Sequence, residues 1–194
     1  MRRPALFLDR DGVINEYEPY VFRKEHFRFV DGIFELVAAA QQRGYLTFVI
    51  TNQAGIGRGL YTEDDFWTLT RWMVGRFAER GCRIDGVYYC PTHPQHGIGN
   101  YRTDSEMRKP RPGMLLKAAR EHTIDLPGSV LVGDRVSDIE AGIAAGVVSN
   151  FLLGAHEGVG DLACRVVGRL QDVIPYLNAV DSHAASEGEG RGER

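Results

Sequence analysis

Four short polar clusters have residue types and spacings suited to chemistry. They are Asp9-Arg10-Asp11-Gly12, Thr51-Asn52-Gln53, Arg108-Lys109-Pro110, and Gly133-Asp134-Arg135 followed by Asp138. Three or four carboxylates gathered in a small volume repel one another unless a cation neutralises them. Hard oxygen donors suit Mg²⁺, which takes one or two carboxylates and keeps waters and a substrate phosphate. A lysine and a threonine beside such a cation are able to hold phosphate oxygens. An aspartate can attack phosphorus and form an aspartyl-phosphate. A second aspartate two residues away lies on the same side of a strand and suits general acid and base work. Each cluster alone reads as an ordinary turn: Asp-x-Asp as a solvated loop, Thr-Asn-Gln as a strand exit, Gly-Asp as a tight turn. Turns do not account for all four in this order, each at the end of a predicted strand.

The elements that must position these clusters follow from periodicity. Ala5-Leu6-Phe7-Leu8 is a short apolar run and predicts a buried strand. Helical spacing of Ile33, Leu36, Val37 and Ala40 predicts a helix over 32–43, stopped by Gly44. A second buried strand covers 46–50. Thr62 and Asp65 resemble a capping box and open a helix carrying Phe66, Leu69, Met73 and Phe77. Strands are expected at 87–89, 130–132, 147–152 and 166–167, and helices at 113–121, 137–145 and 170–177. Residues 91–112 lack periodicity and contain Pro91, Pro94, Pro110 and Pro112; long ordered loops of this kind are often functional. Strands alternating with helices give an α/β fold, a Rossmann-like three-layer sandwich with a mostly parallel sheet. Ligands of such sheets bind at the carboxyl ends of the strands, where the four clusters stand. The expected organisation is one domain over 1–180, with 181–194 as a disordered Glu-, Gly- and Arg-rich tail.

Composition narrows the function classes. The 194 residues hold 23 Lys+Arg and 26 Asp+Glu, a net charge of −3, which argues against a general nucleic-acid binder and leaves room for a local basic pocket. The three cysteines, Cys82, Cys90 and Cys164, are too few and too odd for a disulfide framework. No apolar run is long enough to span a bilayer, and the one at the N-terminus is too short for a signal peptide. A soluble, cytoplasmic monomer without membrane or nucleic-acid partners is expected.

The clusters resemble the haloacid dehalogenase superfamily of phosphatases. Phe7-Leu8-Asp9-Arg10-Asp11-Gly12-Val13-Ile14-Asn15 is similar to its first motif, Thr51 to the second, Lys109 to the third, and Gly133-Asp134 with Asp138 to the fourth. The resemblance covers residues 5–177. Arg10, the run Thr51-Asn52-Gln53-Ala54-Gly55-Ile56 and the run Arg108-Lys109-Pro110-x-Pro112-Gly113 are similar to a branch acting on heptose 1,7-bisphosphates and histidinol phosphate. The resemblance implies that Asp9 is the nucleophile and Asp11 the acid and base. It implies that Asp9, the Asp11 carbonyl and Asp134 hold Mg²⁺, that Thr51 and Lys109 bind the transferring phosphoryl group, and that Asp138 orients Lys109 or a metal water. Such catalysis is mainly positioning and charge stabilisation. Asn52, Gln53, Arg108 and Tyr20 are candidate substrate contacts. Arg135, where the family has a lysine, is a candidate contact for a distal phosphate.

Many members of this branch carry a structural zinc in the loop before the Arg-Lys-Pro motif, on Cys-x-His and a later Cys-x-Cys. This chain has Cys90 and Thr92, then Ser105 and Met107, so one of four ligands remains and the zinc is expected to be absent. The remaining alternative at this loop is an unusual metal site on Cys90, His93 and His96. No insertion is long enough for a large cap, so specificity falls to loops 15–22, 53–61 and 91–109, with Tyr17, Glu18 and Tyr20 either touching sugar hydroxyls or packing on the body. The implied reaction is removal of the 7-phosphate of a D-glycero-D-manno-heptose 1,7-bisphosphate, a step toward nucleotide-activated heptose. The alternatives are histidinol-phosphate hydrolysis, with Glu16 or Glu18 meeting the amine, and a non-catalytic phosphosugar-binding module. The intact set Asp9, Asp11, Thr51, Lys109 and Asp134 speaks against the last.

Overall fold

Strand β1, Ala5–Leu8, is fully buried. Its side chains alternate between two cores, as a strand buried on both faces requires. In the computed structural model, which describes residues 2–154 and 162–178, the chain continues through helix α1, Ile33–Gln42, strand β2, Leu46–Asn52, and the one-turn helix α2, Ala54–Gly57. Helix α3, Glu63–Ala78, strand β3, Gly86–Cys90, helix α4, Gly113–His122, strand β4, Val130–Gly133, and helix α5, Val136–Ala145, follow. Strands β5, Ser149–Leu153, and β6, Arg165–Val167, complete a sheet ordered β3-β2-β1-β4-β5-β6 with every neighbouring pair parallel.

Helices cover both faces. Leu6 and Leu8 of β1 share a core with Leu36 and Val37 of α1 and Leu69, Met73 and Phe77 of α3. Ala5 and Phe7 face the other core, with Met114 and Leu115 of α4 and Ile139 and Ala141 of α5. Burying each large side chain contributes roughly 1.5–3 kcal/mol, and this anchors the strands whose ends carry the polar clusters. The capping box opens α3 as its sequence predicts: Thr62 Oγ1 accepts from the Asp65 backbone N–H at 3.1 Å, and Asp65 accepts from the Thr62 N–H at 2.8 Å. Between β1 and α1 the chain forms a short flap, closed by the antiparallel bridge of Asn15 with Phe29. Among the described residues no large cap is inserted, and no helix is long and apolar enough to cross a membrane.

Several elements differ from the sequence reading; β2, for one, runs on to Asn52 rather than ending at 50. Val147 is not in β5, because its N–H is spent on the Gly142 carbonyl at 2.9 Å, closing the end of α5. The segment Leu170–Tyr176 is a 3₁₀ helix, and Pro175 inside it has no N–H to give to an α-helical bond. The four-residue α2 was not anticipated. The expected tail at 181–194 lies outside the described residues.

Candidate active site

The sheet order sets β1 between β2 and β4, so their carboxyl ends adjoin. Asp9 extends the ladder by donating its N–H to the Val132 carbonyl at 3.0 Å, which places its carboxylate beside the Gly133-Asp134 turn. Thr51 and Asn52 end β2 itself rather than the loop after it. Lys109 enters from the loop before α4. Its ammonium donates to Asp9 Oδ1 at 2.8 Å and to the Ile50 carbonyl at 2.9 Å, and lies 2.6 Å from Asp138 Oδ1. Asp138 thus orients Lys109, and its other oxygen accepts from the Arg135 N–H at 3.0 Å.

Asp9, Asp134 and Asp138 each bring a carboxylate oxygen within 4.8 Å of the others. Burial pushes the Asp9 carboxyl up to about 8; Lys109 opposes the shift, while Asp138, Asp134 and Asp11 reinforce it. Asp134 is raised too, first by burial and then by Asp138. Lys109 is lowered by burial, but the carboxylates of Asp138 and Asp9 outweigh this and hold it above the ordinary lysine range. One ammonium therefore compensates only part of the acidic cluster. Asp134 Oδ1 is buried without a hydrogen-bond partner among the described residues. Gly12, at φ 98°, lets the backbone pass so close to Asp134 that an added Cβ would stand 2.2 Å from its Oδ2. Oxygen donors, an orphaned carboxylate oxygen and excess negative charge fit a hard divalent cation such as Mg²⁺.

Asp11 is held differently. Its carboxylate accepts from Arg10 Nε at 3.2 Å and Nη2 at 3.0 Å, from Asn15 Nδ2 at 3.2 Å and from Gln53 Nε2 at 2.9 Å. Arg10 is only 2% exposed and also donates to the Val21 carbonyl of the flap at 2.8 Å. The Gln53 amide additionally donates to Thr51 Oγ1 at 2.8 Å and accepts from the Tyr61 hydroxyl at 2.5 Å. Asn52 binds the Lys109 backbone reciprocally: its Nδ2 donates to the Lys109 carbonyl and its Oδ1 accepts from the Lys109 N–H, both at 3.1 Å. Asn52 and Gln53, expected to touch substrate, also have partners within the protein. Both line the cavity, and their amides hold Lys109, and Asp11 with Thr51.

A cavity of about 670 Å³ opens over these groups. Asp9, Asp11, Thr51 and Lys109 form its floor. Tyr17, Glu18 and Tyr20 of the flap, Arg58, His93 and Arg108, and Arg135 line the rest. The Arg135 guanidinium lies 5.2 Å from the Tyr17 ring centre, and Arg58 donates to the Tyr20 hydroxyl. Arg108 donates to the Thr92 carbonyl at 3.2 Å. His93 is held below its ordinary value, by burial first and then by the charges of Arg108, His96 and Arg58. The guanidinium groups of Arg108 and Arg58, close enough to disfavour a proton on His93, suit an anion between them. Sequence reasoning missed Arg58, Tyr61 and the Arg10 support. Arg58 and Tyr61 stand in the loop 53–61 that it had assigned to specificity, but nothing in residue type separates them from their neighbours.

Sheet and site together define a HAD-like phosphatase. The HAD-hydrolase-like family model matches residues 106–171. The chain is 54% identical to the D-glycero-alpha-D-manno-heptose-1,7-bisphosphate 7-phosphatase of Burkholderia mallei, over 96% of this chain and 100% of that one. It is 45% identical to the D-glycero-beta-D-manno-heptose-1,7-bisphosphate 7-phosphatase of Vibrio cholerae, over 91% and 97%. The crystal structure of D,D-heptose 1,7-bisphosphate phosphatase from B. bronchiseptica, complexed with magnesium and phosphate, superposes with a TM-score of 0.77 at 28% identity, covering 90% of this chain and 97% of that one. The chain belongs to this family of HAD-like phosphatases and is a phosphoric monoester hydrolase.

Proposed function

We propose that the enzyme removes the 7-phosphate of D-glycero-α-D-manno-heptose 1,7-bisphosphate. The observation that carries this reading is the pairing of the Asp9, Asp11, Thr51 and Lys109 cluster with further cations in the same cavity: Arg58, Arg108 and Arg135 exceed what one reacting phosphate needs. Support for the α anomer comes from the relative at 54% identity, whose name specifies it.

Asp9 attacks phosphorus, and the bond from phosphorus to the sugar O7 breaks. Asp11 gives its proton to that oxygen, then takes one from the water that hydrolyses the aspartyl-phosphate, releasing inorganic phosphate and restoring Asp9. Lys109 and Thr51 hold the non-bridging oxygens. Asp9, Asp134 and the Asp11 carbonyl would hold Mg²⁺, with Asp138 beside them. When bound, the ion neutralises charge on the transferring phosphoryl group. Arg108 and Arg135 meet the distal phosphate, and Tyr17 and Tyr20 close over the sugar.

The test is phosphate release in Mg²⁺ from both heptose bisphosphate anomers and from histidinol phosphate. The α anomer is expected to have the highest kcat/KM. Preference for histidinol phosphate would retain the chemistry and reject the substrate; preference for the β anomer would reject the anomer assignment alone.

A further inference from the structure

The loop 91–109 delivers His93, Arg108 and Lys109 to the cavity, so its position decides where His93 and Arg108 stand. Its donor atoms do not suit a tetrahedral zinc. Cys90 is fully buried with its Sγ 3.3 Å from Thr92 Oγ1, Ser105 Oγ accepts from the Met107 N–H at 3.1 Å, and His93 Nδ1 accepts from the His96 N–H at 3.1 Å. Closed zinc sites need four nitrogen, sulfur or carboxylate ligands, and only Cys90 stands where a ligand is required. Another anchor is present. The Glu63 carboxylate, on the first residue of α3, accepts from the Tyr89 hydroxyl of β3 at 2.6 Å and from the Tyr101 hydroxyl of the loop at 2.7 Å. A carboxylate is favoured at this helix end by the dipole and the free N–H groups.

Tyr101 is in turn the centre of the loop. Its carbonyl accepts from the His93 N–H at 3.0 Å, and its N–H donates to Ile98 at 3.1 Å. Gly57 of α2 donates to the Pro91 carbonyl at 3.1 Å and accepts from Ile98 at 2.8 Å. A Cβ at Gly57 would stand 2.5 Å from the Pro91 oxygen, so the loop rests directly on backbone. Arg108 ties itself to Thr92, one residue before His93. Lys109 has its own supports, in Asn52, Asp9 and Asp138, and does not depend on this anchor.

We propose that Glu63, bridging Tyr89 and Tyr101, is the positioning residue that sets His93 and Arg108 for the second phosphate without any structural zinc. Glu63 does not line the cavity and acts through the loop. This inference rests on the bisphosphate reading, and the test separates the two by including p-nitrophenyl phosphate, which has one phosphate only.

The variants are Glu63→Ala, Glu63→Gln and Tyr101→Phe, assayed in excess Mg²⁺, with the zinc content of the purified wild type measured by mass spectrometry. Glu63→Ala is expected to raise KM for the heptose bisphosphate about tenfold with kcat little changed, the signature of lost binding rather than lost chemistry. Turnover of p-nitrophenyl phosphate should stay within about threefold of wild type. Glu63→Gln, which keeps one acceptor oxygen, should restore most of the loss, and Tyr101→Phe should reproduce part of it. Wild type should contain no stoichiometric zinc. An unchanged KM in Glu63→Ala, or equal losses on both substrates, would overturn the proposal. Stoichiometric zinc whose chelation raises KM would overturn it as well. Should Glu63→Ala fail to fold, an unchanged KM in Tyr101→Phe would do so. If wild type ignores the heptose bisphosphate but hydrolyses p-nitrophenyl phosphate, the substrate reading fails and this inference falls with it.

Discussion

At the scale of single residues, the site is organised around one buried ammonium. Lys109 lies between Asp9 and Asp138 and also donates to a strand carbonyl. Buried charges stabilise a site only when their partners are fixed, because removing a partner leaves an uncompensated ion. Asn52 supplies that fixity by pairing with both backbone groups of Lys109. Replacing it with Ala removes two hydrogen bonds without touching any reacting group. Asn52→Ala is expected to lower kcat about 10- to 100-fold with a smaller change in KM, because in the proposed mechanism Lys109 acts on the transferring phosphoryl group. Steady-state kinetics on the bisphosphate check this. A rise in KM alone would instead support Asn52 as a substrate contact.

At the scale of elements, strands carry the chemistry and helices hold the strands. Phe77 of α3 is fully buried, with its ring centre 4.9 Å from Phe34 and 5.7 Å from Phe29, so it ties α3 to α1 and to the end of the flap. Phe77→Ala should cost roughly 3–5 kcal/mol of stability in denaturant unfolding while leaving kcat near wild type where the protein is folded. Strands and long helices were legible because their residues repeat: the run 5–8, the spacing of Ile33, Leu36, Val37 and Ala40, the Thr62–Asp65 cap. Three of the clusters stand at or just past strand ends, where the topology brings them together, and Lys109 reaches them from the loop before α4. What was not legible depends on partners far along the chain. Gln53 and Asn52 read as substrate contacts by type; that Gln53 also bonds Asp11 across 42 positions and Asn52 the Lys109 backbone across 57 has no mark in the sequence. Arg10 stands out in the sequence by its resemblance to one branch of phosphatases, but its burial against Asp11 shows only in the fold. Helix α2 spans four residues, too few to show a period. Pro175 is visible in the sequence, but whether it ends a helix or tightens one depends on the packing of Leu170 and Val173 into the core.

At the scale of the whole molecule, an acidic protein of net charge −3 brings Arg58, Arg108 and Arg135 to one cavity. The sheet gathers the carboxylates on the strand ends, and cations line the cavity beside them: Arg58 from loop 53–61, Arg108 from loop 91–109 and Arg135 from the turn after β4. In the proposed reaction this division gives the divalent cation the carboxylates and the second phosphate the arginines. The central claim is that Asp9 is the nucleophile of a Mg²⁺-dependent bisphosphate phosphatase. It is tested most directly by phosphate release from the heptose 1,7-bisphosphate, comparing wild type with Asp9→Asn at equal thermal stability. The prediction is Mg²⁺-dependent turnover in wild type and a loss of at least about 10³-fold in the variant, since the amide cannot form the acyl-phosphate. Turnover by Asp9→Asn within about tenfold of wild type would contradict the account, because phosphorus would then be attacked by some other group.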